Sequence, residues 1–149
     1  MSKRILVIGY GNPGRGDDGL GPALAERLES LRLPQVSVES DYQLTIEHAA
    51  MAAEHDIVVF ADAAVDSESL YHFKPITAAQ GGNFSSHSVT PGEVLLLAQS
   101  CFNARPEAYL LGIRAVSMDK FEEGLSADAR AALEEALEHL LRFITENGG

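Results

Sequence analysis

An apolar run, Ile5-Leu-Val-Ile8, leads straight into a loop that carries five glycines from Gly9 to Gly19, and a helical pattern starts at about Leu20. Few folds accommodate that succession. A short apolar stretch with β-branched residues suits a strand buried on both faces, the usual condition of a parallel sheet. A loop joining such a strand to a helix is the first corner of an α/β unit, and open α/β sheets place their ligands at the carboxyl ends of the strands. Asp17 and Asp18 stand where the helix begins. What that loop holds decides what the chain does.

The rest of the chain alternates in the same way. Residues 20–31 place Leu20, Leu24, Leu28 and Leu31 at helical spacing, with Pro22 tolerable in the first turn. Val36 to Ser40 alternates as a short strand, Asp41 to Leu44 form a loop, and a helix is expected from about Thr45 to Glu54. Asp56-Ile-Val-Val-Phe-Ala-Asp62 is a second buried strand, with an aspartate at its carboxyl end. Tyr71 to Ile76 reads as a weaker strand at an edge. Residues 77–89 are rich in Gly, Ser, Ala and Asn without an apolar period, and a mobile loop is expected there.

Thr90-Pro-Gly-Glu93 is a capping box with proline at the first helical position, opening a helix through about Phe102. Glu107 to Arg114 is the last strand. Ser126 caps a long final helix with the stripe Leu133, Leu137, Leu140, Leu141 and Ile144, and Gly148 is expected just past its end. Its Glu134, Glu135 and Glu138 read as a solvated face. Strands alternating with helices give a mostly parallel sheet covered on both faces, and residues 1–149 read as a single domain without repeat or linker.

Charge narrows the partners. The formal net charge is -11 and the 11 Lys and Arg are scattered, which disfavours a polyanion, so no nucleic-acid partner is expected. A lone cysteine, Cys101, excludes an intrachain disulfide and suits a reducing compartment. No run approaches the roughly 18 apolar residues of a membrane span, and residues 1–10 read as a strand rather than a signal peptide. The expectation is a cytoplasmic protein with no membrane partner.

Two readings of the glycine loop compete with a carboxylate site. Gly9-Tyr-Gly-Asn-Pro-Gly14 matches the G-x-G-x-x-G of a Rossmann-like dinucleotide-binding module, with Glu39 near the end of the second strand. In that motif an anionic pyrophosphate sits on the helix N-terminus. Here Asp17 and Asp18 occupy the place with only Arg15 nearby, and Pro13 removes an amide. Gly11-Asn-Pro-Gly14 after the first strand also resembles peptidyl-tRNA hydrolase. That family's following histidine-containing segment is replaced by Arg15-Gly-Asp-Asp18, and the acidic charge disfavours tRNA.

Asp18 at the end of the glycine loop, Asp62 at the end of its strand and His87 ahead of a capped helix stand where a parallel sheet would gather them. Two carboxylates and an imidazole, with positions left open, suit a divalent ion such as nickel or zinc. Each residue also has a plainer reading: Asp18 as a helix N-cap, Asp62 as a turn initiator, His87 as an exposed loop histidine.

Gly9-Tyr-Gly-Asn12, then Asp17-Asp-Gly-Leu-Gly21, then Ala61-Asp-Ala63, then Ser86-His87 before a helix, resemble the hydrogenase maturation proteases over nearly the whole chain. These endopeptidases trim the large subunit of nickel–iron hydrogenases. The resemblance implies a three-layer α/β/α sandwich of the phosphorylase/hydrolase-like kind, with a mostly parallel five-stranded twisted sheet. It implies that Asp18, Asp62 and His87 are the catalytic site and bind a metal. It also implies that the nickel belongs to the protein substrate, the hydrogenase large-subunit precursor, rather than to a permanent site. Zinc or cadmium would substitute, and a monomer is expected. Whether the ion only reports nickel insertion or also polarises the scissile carbonyl is left open.

One segment departs from the family pattern. Many members carry a Gly-Thr turn after the second strand, where this chain has Asp41-Tyr-Gln-Leu-Thr-Ile-Glu47, closer to the proteases of soluble, multi-subunit hydrogenases. Asp41 there either orients substrate or water or caps the following helix. Cys101 is expected to be a buried structural thiol. His48, His55, His72 and His139 read as surface or satisfied histidines, and Ser85, Ser86 and Ser88 lack a nucleophile elbow.

Overall fold

The two strands that are apolar on both faces lie side by side inside the sheet. They are β1 (Ile5–Tyr10) and β3 (Ile57–Ala64), and Ile5 to Ile8 and Ile57 to Ala61 are wholly buried. The computed structural model describes residues 3–79, 89–118 and 124–148. With β2 (Val36–Asp41), β4 (Tyr71–Ile76) and β5 (Glu107–Arg114), the strands form one sheet in the order β2-β1-β3-β5-β4. β2, β1, β3 and β5 run parallel to one another, and β4 is antiparallel to β5. Tyr71 to Ile76 is indeed an edge strand, the position that tolerates Lys74 and Pro75, since proline brings no ladder N–H.

Four helices cover the two faces. Leu20, Leu24 and Leu28 of α1 (Leu20–Glu29) and the stripe of α4 (Ala127–Gly148) pack on one face, against Ile5, Val7, Ile57, Val59 and Leu111. Ala49 and Ala52 of α2 (Glu47–Ala53) with Val94, Leu95 and Ala98 of α3 (Pro91–Phe102) cover the other, against Leu6, Ile8, Val58 and Phe60. This is the expected α/β/α sandwich. The expected caps form too. Thr90 Oγ1 accepts from Glu93 N at 3.2 Å while Glu93 Oε1 accepts from Thr90 N at 2.8 Å, and Ser126 Oγ accepts from Ala129 N at 3.1 Å.

Four expectations are corrected. α1 stops at Glu29, so Leu31 falls outside its stripe and is 48% exposed. α2 starts at Glu47 rather than Thr45, and the Thr45 amide in the preceding loop donates to His48 Nδ1 at 2.9 Å. Gly148 lies within α4, not past it. Cys101 is exposed rather than buried: it continues the Val94 and Ala98 stripe, but nothing covers that last turn, where residues 100–103 are all exposed. The expected mobile loop over 77–89 falls for the most part, from residue 80 to 88, outside the described residues. No helix among the described residues is long and apolar enough to cross a membrane.

Candidate active site

The glycine loop folds as a kinked 3-10 turn, Pro13–Gly19, between β1 and α1. Asn12 opens it, its Oδ1 accepting from Gly14 N at 2.9 Å. The turn is tight enough that Asp18 comes back onto its own beginning. Its Oδ2 accepts from Asn12 N at 2.9 Å, and its carbonyl oxygen lies 2.0 Å from where a Cβ on Gly11 would stand. Gly11 also has φ of 142°, so this position requires glycine twice over. Asp18 is therefore not the N-cap of α1; Gly19 holds that place without a side-chain bond.

The neighbouring aspartate does something different. Asp17 is 1% exposed, and its Oδ2 accepts from Val116 N (2.8 Å), Ser117 N (3.0 Å) and Ser126 Oγ (2.8 Å), its Oδ1 from Ser126 N (2.7 Å). Burial works to raise its pKa, but these donors, the Ser126 amide foremost, outweigh it and hold the carboxyl below its usual range. Asp17 thus ties the first loop to the connection between β5 and α4, and its charge is spent inside the protein.

Asp62 lies within β3, two residues before its end at Ala64, rather than closing the strand as its sequence suggested. The β1 to β3 register ends at Gly9 with Ala61, so Tyr10 and Asp62 are the next residues of each strand. Tyr10 itself pairs with Asp41 at the end of β2, and Asp62 pairs with Gly112 on β5. One polar row thus crosses the carboxyl end of the sheet. The Tyr10 hydroxyl donates to Asp62, whose Oδ1 also accepts from Ala63 N at 2.8 Å. Burial raises the Asp62 pKa to about 6, against these two hydrogen bonds and with help from the charge of Asp18. Burial and the Asp62 charge together push the Tyr10 phenol well above its ordinary value. Asp18 and Asp62, 44 positions apart in the chain, therefore act on one another across the end of the sheet.

At the other end of the row, Asp41 Oδ1 accepts from Tyr42 N at 2.8 Å and its Oδ2 lies 4.0 Å from His48 Nε2. His48 is buried and satisfied, as expected, and it is His48, not Asp41, that takes up the Thr45 amide. A cleft of about 260 Å³ opens beside the turn, lined by Gly11, Pro13, Pro22, Ser40, Asp41 and Tyr42.

Two acidic groups in partial burial with mutual repulsion are relieved by a shared proton or by a divalent cation. Among the described residues no three His, Cys, Asp or Glu side chains gather around one point, and His87 lies outside the described residues. Of the three, Asp18 and Asp62 lie near enough for the charge of Asp18 to act on the Asp62 carboxyl. Tyr10 escaped the sequence reading, although strand alternation from Leu6 and Ile8 already put it on the face of Val58, Phe60 and Asp62.

Neither a protein-family model nor a curated protein matches the chain. Solved structures do, over almost its whole length. The hydrogenase maturating endopeptidase HybD from E. coli aligns with 97% of this chain and 94% of its own, at a TM-score of 0.75 and 25% identity. This chain is built like a hydrogenase maturation endopeptidase. A nickel–iron hydrogenase maturation protease, HycI from Thermococcus kodakarensis, gives a TM-score of 0.72 at 26% identity, over 96% of this chain and 94% of that one. The hydrogenase 2 maturation peptidase of a Thaumarchaeota archaeon shares the fold, with a TM-score of 0.69 at 22% identity over 95% of this chain and 98% of its own. Likeness to these maturation endopeptidases covers at least 95% of the chain in each case.

Proposed function

We propose that the chain is an endopeptidase that removes a C-terminal extension from the large subunit of a nickel–iron hydrogenase after nickel has been inserted. The observation that carries this reading is the electrostatic meeting of Asp18 and Asp62 at the carboxyl end of a sheet whose whole-chain likeness is to hydrogenase maturation endopeptidases. Asp18, Asp62 and His87 would read the inserted ion by coordinating it. Oxygen and imidazole donors with open positions suit nickel, and zinc or cadmium would occupy the same donors. The ion arrives with the precursor and is part of the substrate.

Each residue has a role that its surroundings support. Asp18 keeps Oδ1 for a ligand while Asn12 N holds Oδ2 in place. Tyr10 and the Ala63 amide hold Asp62 from its own side. A divalent ion there would offset both the burial that raises the Asp62 pKa and the added repulsion from Asp18, and binding becomes a report that the metal is in place. The test is cleavage of nickel-loaded precursor by Asp18→Ala, Asp62→Ala and His87→Ala variants. Each is expected to lose at least 10-fold in rate, the loss that removing even a residue behind a metal ligand brings. Full activity in Asp62→Ala and His87→Ala would sink the assignment.

A further inference from the structure

β4 brings a histidine into line with the site. His72 pairs with Gly112, and Gly112 pairs with Asp62, so the three occupy one row of the sheet. Residues paired across neighbouring strands present their side chains to the same face, and the strands lie about 4.8 Å apart. Gly112 has no side chain to fill its place in that row, and the His72 imidazole fills it. A Cβ built on Gly112 would stand 2.2 Å from His72 Cε1, 2.4 Å from Nε2 and 3.0 Å from Nδ1. The ring leans off its own strand across β5, toward Asp62. It is half-buried and makes no hydrogen bond or ion pair with another described residue. A neutral imidazole carries one N–H donor and one acceptor nitrogen. Covering a glycine would need only a flat ring, and no described residue takes up either polar group in the row beside Asp62.

Resting on the endopeptidase reading above, we propose that His72 is a substrate-contacting residue of the site, donating its N–H to the scissile carbonyl oxygen of the peptide laid beside Asp62. As water bonds to the carbonyl carbon, the carbonyl π pair moves onto that oxygen, and the imidazole N–H meets the charge that develops there. When the tetrahedral species collapses the pair returns, the C–N bond breaks, and the amine leaves with a proton that came from the attacking water. His72 sits at the edge of the Asp18–Asp62 pair without joining it, which fits a contact to the peptide rather than to the ion.

The test compares wild type with His72→Ala, His72→Gln and Gly112→Ala. Cleavage of nickel-loaded precursor is expected to lose about 100-fold in kcat in His72→Ala with KM little changed, the size of one missing oxyanion donor. His72→Gln keeps an N–H and should recover about 10-fold of that loss, on the same scale. Gly112→Ala displaces the ring without changing it, and should resemble His72→Ala. Zinc binding by calorimetry should be the same in all four proteins. A His72→Ala enzyme with wild-type kcat, or one that loses zinc affinity in parallel with activity, overturns the proposal. Histidine NMR separates this from the parent reading. The His72 Cε1–H resonance should move when precursor is added, and a resonance that stays put overturns the contact. A wild-type protein that leaves the precursor uncut while the resonance moves counts against the endopeptidase reading alone.

Discussion

A carboxyl with a pKa of about 6 is a cost that the fold carries at neutral pH. Burial, opposed by the bonds from Ala63 and Tyr10 and aided by the charge of Asp18, favours protonated Asp62 in the folded state. Between pH 4 and 6 the folded chain holds a proton that the unfolded chain has released, so stability falls as pH rises through that window and is level above it. Asp62→Asn keeps acceptor and shape without the charge. It should be more stable than wild type at pH 7 by about 3 kcal/mol, with the difference gone below pH 4. Urea unfolding at the two pH values measures this, and a variant less stable at pH 7 contradicts it. At this scale Asp18 and Asp62 stood out in the sequence because a glycine loop and an apolar run lead up to them, although Asp62 lies within its strand. Tyr10 was hidden as the free position of a glycine motif. His72 was unreadable for a physical reason: its neighbour Gly112 is set by the register of an antiparallel pairing 40 residues away, which no local spacing encodes.

Elements were legible where the residues themselves punctuate the chain. Thr90-Pro-Gly-Glu93 caps α3 by the bonds its composition predicts, and Thr90→Ala should cost about 1 kcal/mol in thermal unfolding. The bounds of β4 and β5 were readable because turn-forming or polar residues flank each run. The start of α2 was not, since its N-cap, Ile46, makes no side-chain cap bond and Thr45, the capping type in the sequence, stays in the loop before it. The 3-10 turn is the element on which the site depends, and its anchor lies in another part of the chain. Asp17→Asn places an amide N–H₂ among four donors, and should destabilise by about 3–5 kcal/mol, as when a buried charge partnership is broken. The sign with pH follows from a carboxyl held below its usual range. Its contribution is whole above about pH 4 and is lost as acid protonates the folded form. Wild type should therefore lose stability steeply in acid, and Asp17→Asn much less so, in pH-dependent melting curves.

For the molecule as a whole, a net charge of -11 gathered into one small sandwich makes cation binding and stability inseparable. Zinc or cadmium at 100 times its Kd should stabilise the fold by about 2.7 kcal/mol, and Asp18→Ala should abolish that gain. A dinucleotide should give none. Stabilisation by dinucleotide that survives Asp18→Ala would instead favour a nucleotide-binding module. The architecture was legible in the sequence because strands and helices alternate and the apolar runs differ from the alternating ones. The convergence of Asp18 with Asp62 needed the strand order, which puts β3 beside β1 although β2 intervenes in the chain. One feature reaches from end to end. The donors that hold Asp17 come from residues 116, 117 and 126, about a hundred positions downstream. During synthesis the glycine turn leaves the ribosome about a hundred residues before these donors, and its lock is incomplete until the start of α4 follows. That corner is thus completed late, and a nascent chain halted before residue 116 would carry Asp18 on a loop with none of these anchors.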